Sequence, residues 1–267
     1  MSPELRSLRW TVIKPKLIMM TMRRININME RCRIIFFDLE FYVPTESRRE
    51  GGFCYNPWDK KSKLLGGSFL SLSPTNDFTQ EDSYLNEMIQ PLWLWNHDSE
   101  RSLLENIFGY MEKILQFVSK DNSPSVSPLL CGIGITTSDV PVLFELFKRY
   151  KILSNAEAFQ FQSQFRSIDL SQVAIGVFNH KHDFLYPKTK GNLTTKYFGS
   201  NVFDDGRSVW DLYERQCLSE IEERTHAEVL YTLKLYSSIL RDFRQSKKHE
   251  RRIQNLEKLL VKFKSKS

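Results

Sequence analysis

The chain has 267 residues, of which 41% are hydrophobic and 13% aromatic. That is enough apolar material for a sizeable core, and it excludes an intrinsically disordered chain. The length fits one large domain better than two small ones. No apolar run approaches the ~20 residues of a membrane span, so no membrane association is expected. The net charge of +6 is unevenly spread: residues 1–29 carry +5, residues 241–267 carry +7, and the body between them carries −6. An acidic body with basic ends argues against a general nucleic-acid coat protein. It suits a body that gathers carboxylates around cations and bears phosphate-attracting appendages.

Four cysteines (Cys32, Cys54, Cys131 and Cys217) are widely separated and include no C-x-x-C pair. A zinc site or disulfide framework is therefore not expected, and a reducing, cytoplasmic setting is. Cys32 and Cys131 sit in apolar, strand-like contexts and read as buried small hydrophobes.

In chain order, residues 1–28 are basic and Met-rich, with no clear period. Three readings compete for them: an over-extended start with Met29 as the true first residue, a transit peptide, or a disordered basic arm. The first is favoured, because serine is sparse for a transit peptide. Cys32–Glu40 (CRIIFFDLE) reads as a central strand, apolar on both faces and ending in two carboxylates. A polar loop over 45–63 leads to a second strand at Leu64–Leu72, and Pro91–Trp95 reads as a short third. Asp98 is the expected N-cap of a helix reaching about Ser119, with Leu103, Leu104, Ile107, Phe108, Met111, Ile114, Leu115 and Val118 on one face. Glu100 in its first turn fits a helix-dipole role.

A Ser/Pro linker then precedes a strand at Leu129–Ile135 and a helix at Pro141–Tyr150. A short apolar segment lies at Ser167–Val177, residues 178–207 read as loops, and Ser208–Leu240 as helix. The tail from Arg241 continues as a basic helix with an apolar stripe at Ile253, Leu256, Leu260 and Phe263. This order describes an α/β domain with a mixed sheet over 29–240, flanked by a basic extension (1–28) and a basic tail (241–267).

Asp38 and Glu40 are two residues apart on a strand, so both carboxylates face one way and Leu39 the other. Adjacent anions raise each other's pKa unless a cation lies between them, and such oxygen-rich clusters suit magnesium or manganese. An isolated D-x-E is a weak signal, equally served by solvated charges at a strand end. Its surroundings add weight. FFDLEF resembles the first motif of the DEDD (DnaQ-like) 3′–5′ exonucleases, in which an Asp and a Glu on the central strand hold the metals. LLCGIGITTSDVPVLFELFKRY resembles the second: strand, glycine-containing turn, then Asp139 at a helix start. Its Asp139-Val-Pro-Val-Leu143 segment looks like the form found in predicted PolB-like exonucleases.

Farther on, Arg224-Thr-His-Ala-Glu228-Val-Leu-Tyr-Thr232-Leu-Lys-Leu235 is similar to the third motif, with Glu228 in the slot of the last Asp and Arg224 in that of a Tyr. Here the chain departs from the family, since Glu adds a methylene and shifts the carboxylate by roughly 1–1.5 Å.

The resemblance covers about residues 30–240. It implies a ribonuclease H-like α/β fold and a two-metal Mg2+ or Mn2+ site formed by Asp38, Glu40, Asp139 and Glu228. The implied activity is removal of nucleotides from single-stranded nucleic acid or 3′ overhangs. His226 is a candidate base, although on a regular helix it lies about 200° from Glu228. Phe41, Tyr42, Arg224 and loop residues Phe53, Tyr55 and Trp58 are candidate substrate contacts, and Lys60, Lys61 and Lys63 candidate phosphate contacts. The rival is an exonuclease-fold protein that is weak or silent in catalysis and acts as a nucleic-acid- or protein-binding module.

Overall fold

The computed structural model describes residues 27–49, 54–76, 78, 81–122, 126–173, 190–203 and 205–264. Most of the N-terminal extension, Phe53 and the stretch 174–189 therefore lie outside the described residues. Five strands form one mixed sheet, ordered β3-β2-β1-β4-β5. The central strand β1 (Ile34–Tyr42) pairs antiparallel with β2 (Lys63–Leu72), which pairs antiparallel with β3 (Gln90–Trp93). On its other side β1 pairs parallel with β4 (Leu129–Gly132), and β4 parallel with β5 (Arg166–Asp169). Helices flank the sheet in an α/β arrangement compatible with the expected ribonuclease H-like fold.

Residues 34–41 of β1 are buried on both faces. Ile35, Phe37, Leu39 and Phe41 pack against helices α2 (Glu100–Asn122), α3 (Asp139–Arg149) and α4 (Asn155–Ser163). Ile34 and Phe36 face the opposite layer, built from α1 (Asp82–Met88), α5 (Leu170–Val173), α6 (Lys190–Phe198) and the long α8 (Leu218–Lys264). Side chains as enclosed as Phe36 contribute about 1.5–3 kcal/mol each. A smaller cluster of Leu65, Trp93, Val209 and Ile221 ties the sheet edge to α7 (Ser208–Glu214) and α8. Because Ile34, Phe36, Asp38 and Glu40 share one face, the same alternation that buries the apolar pair aims both carboxylates at α8.

Several boundaries differ from the sequence expectation. The cap of α2 is Ser99, not Asp98: the Ser102 amide donates to Ser99 Oγ at 3.2 Å. The strand expected through Ile135 stops at Gly132, since the chain turns at Gly134, whose φ of +77° favours glycine. Part of the region read as loops contains α6, whose Gly, Asn and two Thr are poor helix formers; burial of Leu193 and Thr194 holds it there. The single helix expected over Ser208–Leu240 is two, separated at Gln216 with φ of +60°. Helices α1 and α4 were not expected, though Ser154 and Glu157 form a capping box legible in the sequence. Beyond Leu240, α8 continues without interruption into the basic tail.

At the site-bearing end of β1 the β1–β2 register shifts between Glu40 and Phe41. Gly66 lies opposite Glu40 with φ of +127°, and a Cβ there would sit 2.1 Å from the Leu92 carbonyl oxygen of β3. Only glycine allows the three strands to close at this bulge. Gly66→Ala should therefore destabilise the fold by on the order of 3 kcal/mol. Gly109→Ala, inside α2 with nothing within 4 Å of the added carbon, should stabilise by about 0.8–1 kcal/mol. Urea denaturation of the two variants would check the opposite signs.

Candidate active site

Asp38 and Glu40 leave β1 toward α8, and each is 7% exposed. Glu228 approaches from α8 at 3% exposure. Each of the three offers a carboxylate oxygen, and these oxygens all lie within 4.8 Å of one another. Asp139 opens α3 beside them but is not among these three. Its Oδ1 accepts a hydrogen bond from the Leu39 amide at 3.1 Å, and its Oδ2 accepts one from Ser138 Oγ. The start of α3 is thus fastened to the strand between the two β1 acids.

The turn that delivers Asp139 is organised by a residue the sequence reading did not single out. Asp169, at the end of β5, accepts from the Gly134 amide at 2.9 Å, the Thr136 amide at 3.2 Å and Thr136 Oγ1 at 2.7 Å. It also accepts from the Ser171 amide and hydroxyl at 3.0 and 2.6 Å. Burial pushes the Asp169 carboxyl up, but the hydrogen bonds from Ser171, Thr136 and Gly134 outweigh it and hold the group below its usual range.

Two cations neutralise part of the cluster. Lys190 of α6 places its Nζ 2.9 Å from Asp38 Oδ1 and 2.8 Å from Glu228 Oε2. Arg224, one turn before Glu228, lies 2.8 Å from Glu228 Oε1 and 3.5 Å from Glu40 Oε1. Thr225 Oγ1 donates to Glu40 Oε1 at 3.1 Å. Lys190 had no sequence signal, because its partners lie 152 and 38 residues away.

Four acids against two cations leave excess negative charge in a poorly hydrated place. Burial, then the charges of Glu228, Glu40 and Asp139, drive the Asp38 carboxyl well above its ordinary range despite Lys190. Burial and Glu228 push Glu40 up to about 7, against the pull of Arg224 and Lys190. Burial also raises Asp139, opposed chiefly by the Ser138 hydrogen bond. Glu228 goes the other way: Lys190 and Arg224 overcome its burial and hold it low. Lys190 is raised well above its ordinary value, Asp38 and Glu228 outweighing its desolvation. A hard divalent cation fits this donor set, since carboxylate oxygens are its preferred ligands and the surplus charge favours its binding. It would share Asp38 and Glu228 with the Lys190 ammonium.

Asp38, Glu40 and Asp139 line a cleft of about 460 Å³, whose walls include Tyr55, Lys190, Arg207, Trp210 and Arg224, while Glu228 lies behind Lys190 and Arg224, which it pairs with. Arg207 and Trp210 were missed by the sequence reading. Arg48 and Arg207 lie 5.0 and 6.0 Å from the Trp210 ring centre, within cation–π range.

Other candidates are placed elsewhere. His226 is turned away from the carboxylates: its Nε2 lies 2.9 Å from Asn86 Oδ1 of α1, and it does not line the cleft. The cause is helical geometry, two residues turning it nearly opposite to Glu228. Tyr42 is likewise outside the cleft, its hydroxyl donating to Glu214 at 3.1 Å and its ring packed on Tyr213. Phe41 belongs to the core, its ring 4.5 Å from that of Tyr55, and reaches the cleft as part of its lining. Trp58 is exposed and does not line the cleft. Lys61 pairs with Glu46, and Lys63 lies over the Tyr213 ring. Glu100 is a tie between elements, accepting from the Leu64 amide at 3.0 Å and the Tyr150 hydroxyl at 2.7 Å.

The raised carboxyls bind protons in the fold that the unfolded chain releases, so the metal-free protein should lose stability as pH rises. For Glu40 the window runs from its ordinary 4.5 to about 7. The lowered Glu228 and Asp169 act only at lower pH, and Lys190 only above its ordinary 10.5. Denaturation in a chelating buffer should show stability falling by a few kcal/mol between pH 5 and 7, with a shallower slope in Glu40→Gln. Against this geometry, comparison with models of known protein families gave no match, and the search of curated proteins gave no significant match.

Proposed function

We propose that this protein is a metal-dependent 3′–5′ exonuclease of the DEDD (DnaQ-like) type, hydrolysing phosphodiester bonds at the 3′ ends of single-stranded nucleic acid or overhangs. The supporting observation is the meeting of Asp38 and Glu40 from the central strand with Glu228 from α8, oxygens within 4.8 Å, beside a cleft lined by Asp38, Glu40 and Asp139. Those four residues would hold Mg2+ or Mn2+, which supplies an activated water and neutralises charge on the leaving 3′-oxygen.

The chain's own groups account for the remaining demands. Lys190 and Arg224 border the carboxylates as cations able to contact non-bridging phosphate oxygens. Trp210 offers a ring for an unstacked terminal base, and Arg207 a further phosphate contact. Buried Leu39, between the two acids on the opposite face of β1, keeps both carboxylates directed into the cleft. A reducing cytoplasmic setting accords with four free cysteines.

One observation favours the rival of a silent binding module: Lys190 and Arg224 already pair with the carboxylates that the metal needs. Two measurements separate the readings. Purified protein with magnesium or manganese should shorten labelled single-stranded DNA or RNA from the 3′ end, and Asp38→Ala should lower the rate by more than about 100-fold. Manganese at a hundredfold excess over its Kd should raise the unfolding free energy by about 2.7 kcal/mol, and Asp38→Ala should lose that gain. Absence of both cleavage and metal stabilisation would leave the binding-module reading in its place.

A further inference from the structure

We infer that the far half of α8 is a docking surface for the sugar–phosphate backbone of a nucleic-acid duplex, separate from the cleft. From Arg241 to Arg252 the helix carries Arg241, Arg244, Lys247, Lys248, Arg251 and Arg252, and each is exposed. At 100° per residue, all six fall within an arc of about 140°. Arg244, Lys248 and Arg252 form one i,i+4 row, and Lys247 and Arg251 the adjacent one. The two acids of this stretch, Asp242 and Glu250, lie outside the arc, and Asp242 interacts with the hydroxyl of Tyr197.

Like charges at i,i+4 destabilise a helix by about 0.2–0.5 kcal/mol per pair. Among the described residues none of the six forms an ion pair that would offset this. An external polyanion would. The stretch spans about 16 Å along the helix axis, a length over which B-DNA presents roughly ten phosphate charges.

The composition of the arc selects among polyanions. A helix that lies on a membrane needs an apolar face over the same turns as its cations, yet the only apolar residue from 241 to 252 is Phe243. Single strands are held largely by base stacking on aromatic rings, and the arc has none. Contact through phosphates alone is the mode suited to a duplex, independent of its sequence. Choosing nucleic acid rather than another polyanion rests on the nuclease reading of the cleft. The same helix bears Glu228, about 24 Å along its axis from Arg244 and about 36 Å from Arg252. The duplex part of a substrate would lie on the tail while its 3′ overhang enters the cleft, past a body of net charge −6 that by itself repels phosphate.

The test is anisotropy of the full chain with a labelled duplex bearing a 3′ overhang, in EDTA so that nothing is hydrolysed, at several salt concentrations. The variant K247A/K248A/R251A/R252A keeps strong helix formers at exposed positions, and its thermal unfolding should match the parent. It should bind at least tenfold more weakly near 0.1 M salt, and its log Kd against log salt should flatten by about 3–4. Hydrolysis of a short single strand should be unchanged. Equal affinity and slope for parent and variant would overturn the inference. So would loss of binding confined to anionic phospholipid vesicles, or loss only of self-association through Ile253 and Leu256. Cleavage of single strands with no effect of the tail would refute the tail alone, whereas tail-dependent binding without any cleavage would refute the nuclease reading alone.

Discussion

The structure turns on the burial of four carboxylates against two cations at one end of β1. Taking charges from water costs several kcal/mol per ion, and only close pairing and hydrogen bonds offset that cost. Every neighbouring element serves the pairing. β1 aims Asp38 and Glu40, α8 brings Arg224 and Glu228 one turn apart, α6 brings Lys190, and the Leu39 amide receives Asp139. A cluster assembled only for stability would use fewer acids or an apolar substitute, since such replacements are often neutral or stabilising. The surplus of negative charge is what a bound cation would offset.

The core makes this concentration of charge tolerable. β1 is buried on both faces, and its apolar residues anchor two helical layers before the strand reaches the acids. The bulge at Gly66 turns the strand end where Glu40 lies, and Asp169 fixes the turn that begins at Gly134. Backbone groups around the site are held by buried side chains, the Leu39 amide by Asp139 and the Gly134 and Thr136 amides by Asp169. Such a shell keeps carboxylates in place when their mutual repulsion would separate them.

α8 joins the two ends of the molecule's electrostatics. Its first half is packed on the sheet and supplies buried charges, and its second half carries exposed cations. The acidic body and the basic tail, opposite in sign along the sequence, meet on one continuous helix.

The amphipathic period of α2 and the apolar run into Asp38-Leu39-Glu40 made the central strand, its two-sided burial and the common direction of its acids legible from the sequence. Those features depend on residues near one another in the chain, where the periods of 2 and 3.6 operate. The capping box at Ser154 and Glu157 was equally local, though it went unread. The four acids could be ranked from the sequence only through their resemblance to a known family. The partners of the site were another matter. Lys190 belongs to a helix whose intrinsic propensity is poor and whose existence depends on burying Leu193 and Thr194. Asp169 acts on a turn more than thirty residues earlier, and Trp210 and Arg207 reach the cleft from α7 and the turn before it. His226, close to Glu228 in sequence, is turned toward Asn86 by the same helix that turns Glu228 inward. Sequence alone determined which strand bears the acids and which face they take, because strand alternation is a local rule. Tertiary structure decided which cations neutralise them and which rings wall the cleft, because those contacts are made across chain separations that no local period encodes.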